Sequence, residues 1–196
     1  MDRVRFISLT LVVLLLAGCS NDSTTSAQFA ASQTPSAPGL VQLAQSSISG
    51  TQVQVDVLLH GPEPGLDLNA FRFAVKISDP STVRFVPQAS YAQSALVAGA
   101  GQSILIDVDG ASDPSLVIVQ MRKAGGGAGN GFTSPAAVVL RLTFEVLGSG
   151  GATLSFAGVG AFPAQALDST GQPIDAVRFD AAGASIAGVR SGGGGY

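Results

Sequence analysis

AAVVLRLTFEVLGSGGATLSFAGV, residues 136–159, decides how this chain folds. Val138, Leu140, Leu142, Phe144 and Val146 alternate with Val139, Arg141, Thr143 and Glu145. Successive side chains of a strand point to opposite faces, so this two-residue period predicts a strand with one buried and one wetter face. Gly148-Ser149-Gly150-Gly151 then breaks the run, because glycine takes the positive φ angles that a tight reversal needs. A second alternation follows from Thr153 to Gly158, with Leu154 and Phe156 on one face and Thr153 and Ser155 on the other. The two runs read together as a long β-hairpin. A hairpin alone is only marginally stable in water, so a second apolar surface must cover it.

The rest of the chain supplies that surface as more strands. Upstream, Thr51–His60 sets Val53, Val55, Val57 and Leu59 against Gln52, Gln54 and Asp56. Asn69–Ile77 sets Phe71, Phe73, Val75 and Ile77 against Arg72 and Lys76. Val41 and Leu43 begin a short edge run, and Val83-Arg84-Phe85 is a short strand between Asp79-Pro80 and Pro87. Ser103–Val108 and Ser115–Arg122 are two more, joined by Asp109–Pro114, and Val177–Phe179 and Ala184–Val189 come last. Gly61–Gly65, Ser90–Gly101, Lys123–Gly131 and Asp168–Gly171 read as loops or turns, rich in the residues that take unusual backbone angles or lack a donor. Eight or nine short strands at about ten-residue spacing, without a helical period, predict an all-β sandwich or barrel. With no tryptophan in the chain, the phenylalanines must fill the core, and Phe71, Phe73, Phe85, Phe144 and Phe156 are the expected set.

The ends are organised differently. In residues 1–18, Arg3 and Arg5 precede an apolar run over Phe6–Leu16 that is too short to span a bilayer, as in a secretory signal peptide. Leu16-Ala17-Gly18-Cys19 resembles the bacterial lipobox, which implies acylation of Cys19 as the first residue of the mature protein. Cys19 is the one cysteine in the chain, so an internal disulfide is excluded. Several acyl chains on one residue make a stable anchor. Ser20, in place of the aspartate that retains such proteins at an inner membrane, implies outer-membrane placement, facing the periplasm or the surface, if the source is Gram-negative. Residues 19–39, rich in Ser, Thr, Ala, Gln and Pro, are expected to be a flexible tether with a reach of about 25 Å. Residues 40–189 are then one domain, and 190–196 a disordered glycine-rich tail.

No catalytic constellation emerges, and the chain is expected not to be an enzyme. Glu63 and Glu145 are the two glutamates, and Glu63, Asp67, Asp168 and Asp175 all fall in turns, where paired carboxylates for glycoside hydrolysis are not expected. No serine sits in a Gly-x-Ser-x-Gly frame opening a helix. His60 is the one histidine, so an ordinary transition-metal site is not expected, and no cofactor is implied. Asp107, Asp109 and Asp113 are the weak candidate for a metal: three carboxylates in seven residues could supply oxygens to Ca²⁺. Their spacing departs from the EF-hand loop, and the competing reading is a polar turn. The whole chain carries a net charge of −3, and residues 1–18 hold two arginines and one aspartate, which leaves −4 for the remainder. Nucleic acid needs a basic patch that such a chain lacks. Carbohydrate binding would call for exposed rings, and Tyr91, Tyr196, Phe132 and Phe162 are the candidates outside the expected core.

One family fits the order of these motifs. Leu68, Phe71, Phe73 and Val75, then Asp79-Pro80, then Val83 and Phe85, resemble the opening half of a cohesin domain. Residues 137–162 followed by Asp168–Ile174 resemble its closing half. The resemblance implies an antiparallel jelly-roll β-sandwich of about nine strands, related to carbohydrate-binding modules. It implies a non-catalytic, surface-anchored module recognising a dockerin-type protein partner, with a link to polysaccharide degradation. Two other readings stay open: a carbohydrate-binding module of the same fold, whose partner is a polysaccharide, and a structural lipoprotein of the cell envelope.

Overall fold

The computed structural model of the chain describes residues 25–61, 65–125 and 136–190. The signal segment, Cys19, Glu63, Phe132 and the tail from Ser191 lie outside them. Twelve strands are present among the described residues: Thr25–Ala30 (β1), Leu40–Ser49 (β2), Gln52–His60 (β3), Ala70–Ile77 (β4), Val83–Val86 (β5) and Ser103–Asp109 (β6). Leu116–Ala124 (β7), Ala136–Val146 (β8), Gly151–Ala157 (β9), Gln165–Leu167 (β10), Arg178–Phe179 (β11) and Ala184–Arg190 (β12) complete the set. They form two sheets. The larger runs β1-β12-β9-β4-β7-β6, with β10 also on β4, and the smaller runs β11-β2-β3-β8-β5. All pairs are antiparallel except β11 on β2. This is the all-β sandwich that the alternation predicts and the jelly roll that the resemblance implies, with twelve strands where about nine are expected.

The core forms where the two inner faces meet. Val53, Val55, Val57 and Leu59 of β3 are fully buried, as are Phe73, Val75 and Ile77 of β4, and Phe71 is nearly so. Phe85 and Phe144 pack edge to face with centroids 6.0 Å apart. Phe73, Phe156 and Phe179 form a second cluster at 5.1–5.8 Å, near the separations that aromatic pairs favour. Of the expected core phenylalanines, Phe156 is only partly buried.

The expected hairpin is not one. β8 pairs with β3 and β5, while β9 pairs with β4 and β12 in the other sheet. Gly148–Gly150 therefore arches between the sheets rather than closing a ladder. Alternation gives the faces of β9 and of most of β8 but not their neighbours. Both β8 and β9 still lay an apolar face on the same core, so the two topologies share one pattern. The inner face of β8 also changes phase. The register shifts opposite Val57/Leu58, so Ala137 and Val139 point inward on one side of the bulge and Leu140, Leu142, Phe144 and Val146 on the other. Val138 is only half-buried, and one extra residue in a bulge is the reason.

The expected tether is largely structured. Thr25–Ala30 pairs with β12 over six rungs, from Thr25↔Arg190 to Ala30↔Ser185. The segment that follows is pinned by buried Asp180. Its carboxylate accepts hydrogen bonds from Thr34 Oγ1 (3.0 Å), Gln42 Nε2 (3.2 Å) and the Ala182 N–H (3.0 Å), while Gln42 also donates to the Thr34 carbonyl at 2.8 Å. Burial pushes the Asp180 carboxyl up, but its hydrogen bonds, from Ser32 among others, outweigh that and hold it below the ordinary value. Gly39 closes the segment with φ 76°, where a Cβ would collide with the Ala176 carbonyl. Composition called this stretch a coil because its strand is short and buries chiefly Ala27.

Two loop boundaries shift for similar reasons. Lys123 and Ala124 belong to β7, not to the following loop, and Arg190 ends β12 instead of opening the tail. The Ser90–Gly101 loop is not free. Ser94 and Ala95 both donate backbone N–H groups to the Val138 carbonyl, and Ala95 and Leu96 are buried.

Candidate functional site

The outer face of the larger sheet carries an open groove of about 380 Å³ where β4, β7, β6 and β10 lie side by side. Register places its residues in two rows. One row runs Asp107–Gln120–Arg72–Gln165 across β6, β7, β4 and β10, and the next runs Leu105–Arg122–Ala70–Leu167. On β6, Ile104, Ile106 and Val108 pack against the core, so Ser103, Leu105 and Asp107 must face out. Leu105 is 45% exposed, an apolar side chain standing between charged ones. Phe162, 55% exposed, lies at the Arg72 side, with the guanidinium carbon 4.5 Å from its ring centroid in a cation–π contact. The groove thus offers an aliphatic side chain, two guanidinium groups and one carboxylate on paired strands, with the Phe162 ring beside Arg72. Such a surface is rigid and amphipathic, suited to a protein partner. The sequence marks it only faintly. Its signal was Ser103-Ile104-Leu105-Ile106-Asp107, where an apolar residue occupies the outward position of an alternating strand.

The three candidate calcium ligands do not converge. Asp109 Oδ1 accepts the N–H groups of Ala111 (2.9 Å) and Ser112 (3.2 Å), and its Oδ2 accepts the Ser112 hydroxyl at 2.6 Å. Asp113 Oδ1 accepts the Ser115 N–H (2.8 Å) and hydroxyl (2.7 Å). The hydroxyl hydrogen bonds, from Ser112 and Ser115 respectively, are the main reason both carboxyls lie below their ordinary value. Asp107 lies in the groove instead. Gly110 lets the turn approach the Phe85 ring, where a Cβ would clash. Among the described residues no three acidic, histidine or cysteine groups are gathered for a metal.

The other carboxylates also serve turns. Asp168 Oδ1 accepts Thr170 N–H (2.8 Å), Thr170 hydroxyl (2.7 Å) and Gln172 N–H (2.9 Å), which holds its carboxyl low. Asp67 Oδ2 accepts the Ser169 N–H and hydroxyl. His60 ends β3, where its carbonyl accepts the Gly39 N–H. Glu145 pairs across strands with Arg84, with Nε–Oε2 at 2.8 Å, while Arg141 pairs with Asp56 at 2.6 and 2.9 Å, and Asp56, expected on the wetter face, is buried. Thr143, expected to face water, is buried and accepts a hydrogen bond from Gln88 Nε2 at 2.7 Å.

No family model and no curated protein matches the sequence. Among solved structures, the second type II cohesin module of the adaptor ScaA scaffoldin of Acetivibrio cellulolyticus is similar, at 10% identity and a TM-score of 0.57. The match covers 77% of this chain and 90% of that one. A type II cohesin domain from the cellulosome of the same organism is 13% identical with a TM-score of 0.48, over 79% of this chain and 95% of that one. At such identity the likeness is one of architecture: the fold of this chain is cohesin-like.

Proposed function

We propose that this chain is a non-catalytic, cohesin-like binding module that docks a dockerin-type protein on the outer face of β4, β7 and β6, held at the cell envelope by acylated Cys19. The observation that carries the docking face is exposed Leu105 beside Arg72 and Arg122 on paired strands, a hydrophobic contact framed by charges. Interfaces concentrate their energy in a few such apolar and arginine side chains. Support for the partner class comes from the cohesin-like fold and from the resemblance of the Leu68–Phe85 segment. A polysaccharide partner is less favoured, because Phe162 is the one exposed aromatic among the described residues and Arg72 already covers it.

The test is titration calorimetry of the purified module against a panel of isolated dockerin modules. Native protein should bind at least one, and Leu105→Asp should weaken that binding tenfold or more while leaving the melting temperature within a degree or two. Binding that Leu105→Asp leaves intact would move the interface elsewhere, and a panel without any binder would remove the partner class. Acylation is tested separately: protein purified from membranes should carry a lipid-sized mass increment on Cys19.

A further inference from the structure

The chain leaves its lipid-attachment motif much closer to the sandwich than a tether would allow. Six residue steps separate Cys19 from Thr25, the first residue of β1. Fully extended they span at most about 20 Å, and as a coil about 13 Å. Thr25 pairs with Arg190, so the chain enters at one end of the sandwich, where β12 also ends. The elements at that end are fixed by short contacts. Ala27 N–H donates to the Gly50 carbonyl at 2.9 Å, Gly188 N–H to the Gly150 carbonyl at 2.7 Å, and Val146 N–H to the Thr51 carbonyl at 2.9 Å. The rim built this way is apolar at three points. Ile48 precedes the Gly50 turn, Leu147 opens the arch and Val189 lies next to Arg190, and all three side chains are exposed. Arg190 adds a cation. Asp79 is the acid in the turn beside Leu147, and its Oδ1 is engaged by the Ser81 N–H and hydroxyl.

We infer that this rim rests on the lipid surface, with Ile48, Leu147 and Val189 at headgroup depth and the groove held at the far end of the sandwich. The inference rests on the acylation of Cys19 proposed above. A rim leashed within about 20 Å of its own membrane anchor stays within reach of the headgroups, and exposed aliphatic side chains with an arginine suit an interface that is anionic outside and apolar within. The groove lies at the other end. Leu154↔Ile77 aligns β9 with β4, so Arg72 is eight residues along the strand direction from the Gly151 row. At about 3.4 Å per residue that is on the order of 25 Å further from the membrane. The short leash would therefore present the docking face outward and leave it unobstructed.

The experiment uses the full acylated protein in vesicles of phosphatidylethanolamine and phosphatidylglycerol that contain a nitroxide-headgroup lipid. Fluorophores are attached singly through Ile48→Cys, Leu147→Cys, Val189→Cys and, as the distal control, Leu105→Cys. The first three should be quenched at least twofold more than the fourth. Insertion of a fifteen-residue Gly-Ser linker before Thr25 should abolish the difference while the protein stays with the vesicles. Equal quenching at all four positions in vesicle-bound protein would overturn the upright orientation and leave the anchor standing. Protein that does not sediment with the vesicles would overturn the anchor and the orientation with it.

Discussion

Lys123 is the residue whose placement is least expected from its chemistry. It continues the inward row Val117, Val119 and Met121 of β7, is only 5% exposed, and its Nζ has no hydrogen-bond partner among the described residues. Burial lowers its affinity for a proton, and attraction to Asp67 offsets part of that. An uncompensated buried charge is costly, so Lys123→Met should stabilise the fold by about 1–2 kcal/mol at pH 7. For a domain of this size that corresponds to roughly 2–8 °C in melting temperature. The sign with pH follows from proton linkage. The folded lysine titrates below its unfolded value of 10.5, so the unfolded chain binds more protons and native stability rises with pH through that window. The advantage of Lys123→Met should therefore shrink between pH 7 and pH 10, as read by thermal unfolding. A variant that melts lower than native at pH 7 would mean that Asp67 more than repays the burial.

At the scale of elements, β8 gives the sharpest test of register. Phe144 is fully buried against Phe85, and Glu145, one residue on, meets exposed Arg84 on the outer face. Phe144→Ala should cost about 3–5 kcal/mol through lost burial and the cavity left behind. Glu145→Ala removes a largely solvated ion pair and should stay within about 0.5 kcal/mol. Comparable losses for both in chemical denaturation would contradict the register Val53↔Phe144 and Gln52↔Glu145. This much was legible from alternation alone, as were the faces of β3 and β4. The pairing was not. Val146 and Leu154 bury on one core from opposite sheets, and a period of two says nothing about which sheet a strand joins. The Val139 bulge was equally hidden, because its neighbours are apolar in either phase. The groove was illegible for another reason. Arg72, Gln120 and Asp107 come from three strands that only cross-strand register puts in one row.

For the whole molecule, the consequential difference lies at the amino-terminal side, where low-complexity composition masks a strand. Thr25–Ala30 lacks an apolar stripe because β1 is an edge, with solvent on its far side and only Ala27 buried. Its contribution is instead the ladder it completes over β12. A chain beginning at Ala31 would leave β12 as the sheet edge, with those of its backbone groups between Ser185 and Arg190 that face β1 unpaired. Six rungs of pairing, each hydrogen bond worth about 1 kcal/mol net at most, and the partial cover of Phe29 over the core suggest a loss of about 2–4 kcal/mol. That is a melting temperature lower by roughly 5–15 °C. Exposed strand edges also template association, so the shortened protein should show concentration-dependent dimers or larger species in size-exclusion chromatography. A flexible tether could be removed without either effect. Deletion of residues 20–24, which leaves β1 whole, is the matching control and should preserve the native melting temperature. If the chain from Ala31 melts and elutes like the native domain, β1 is not an integral strand of the sheet, and the short leash between Cys19 and the rim is lost with it.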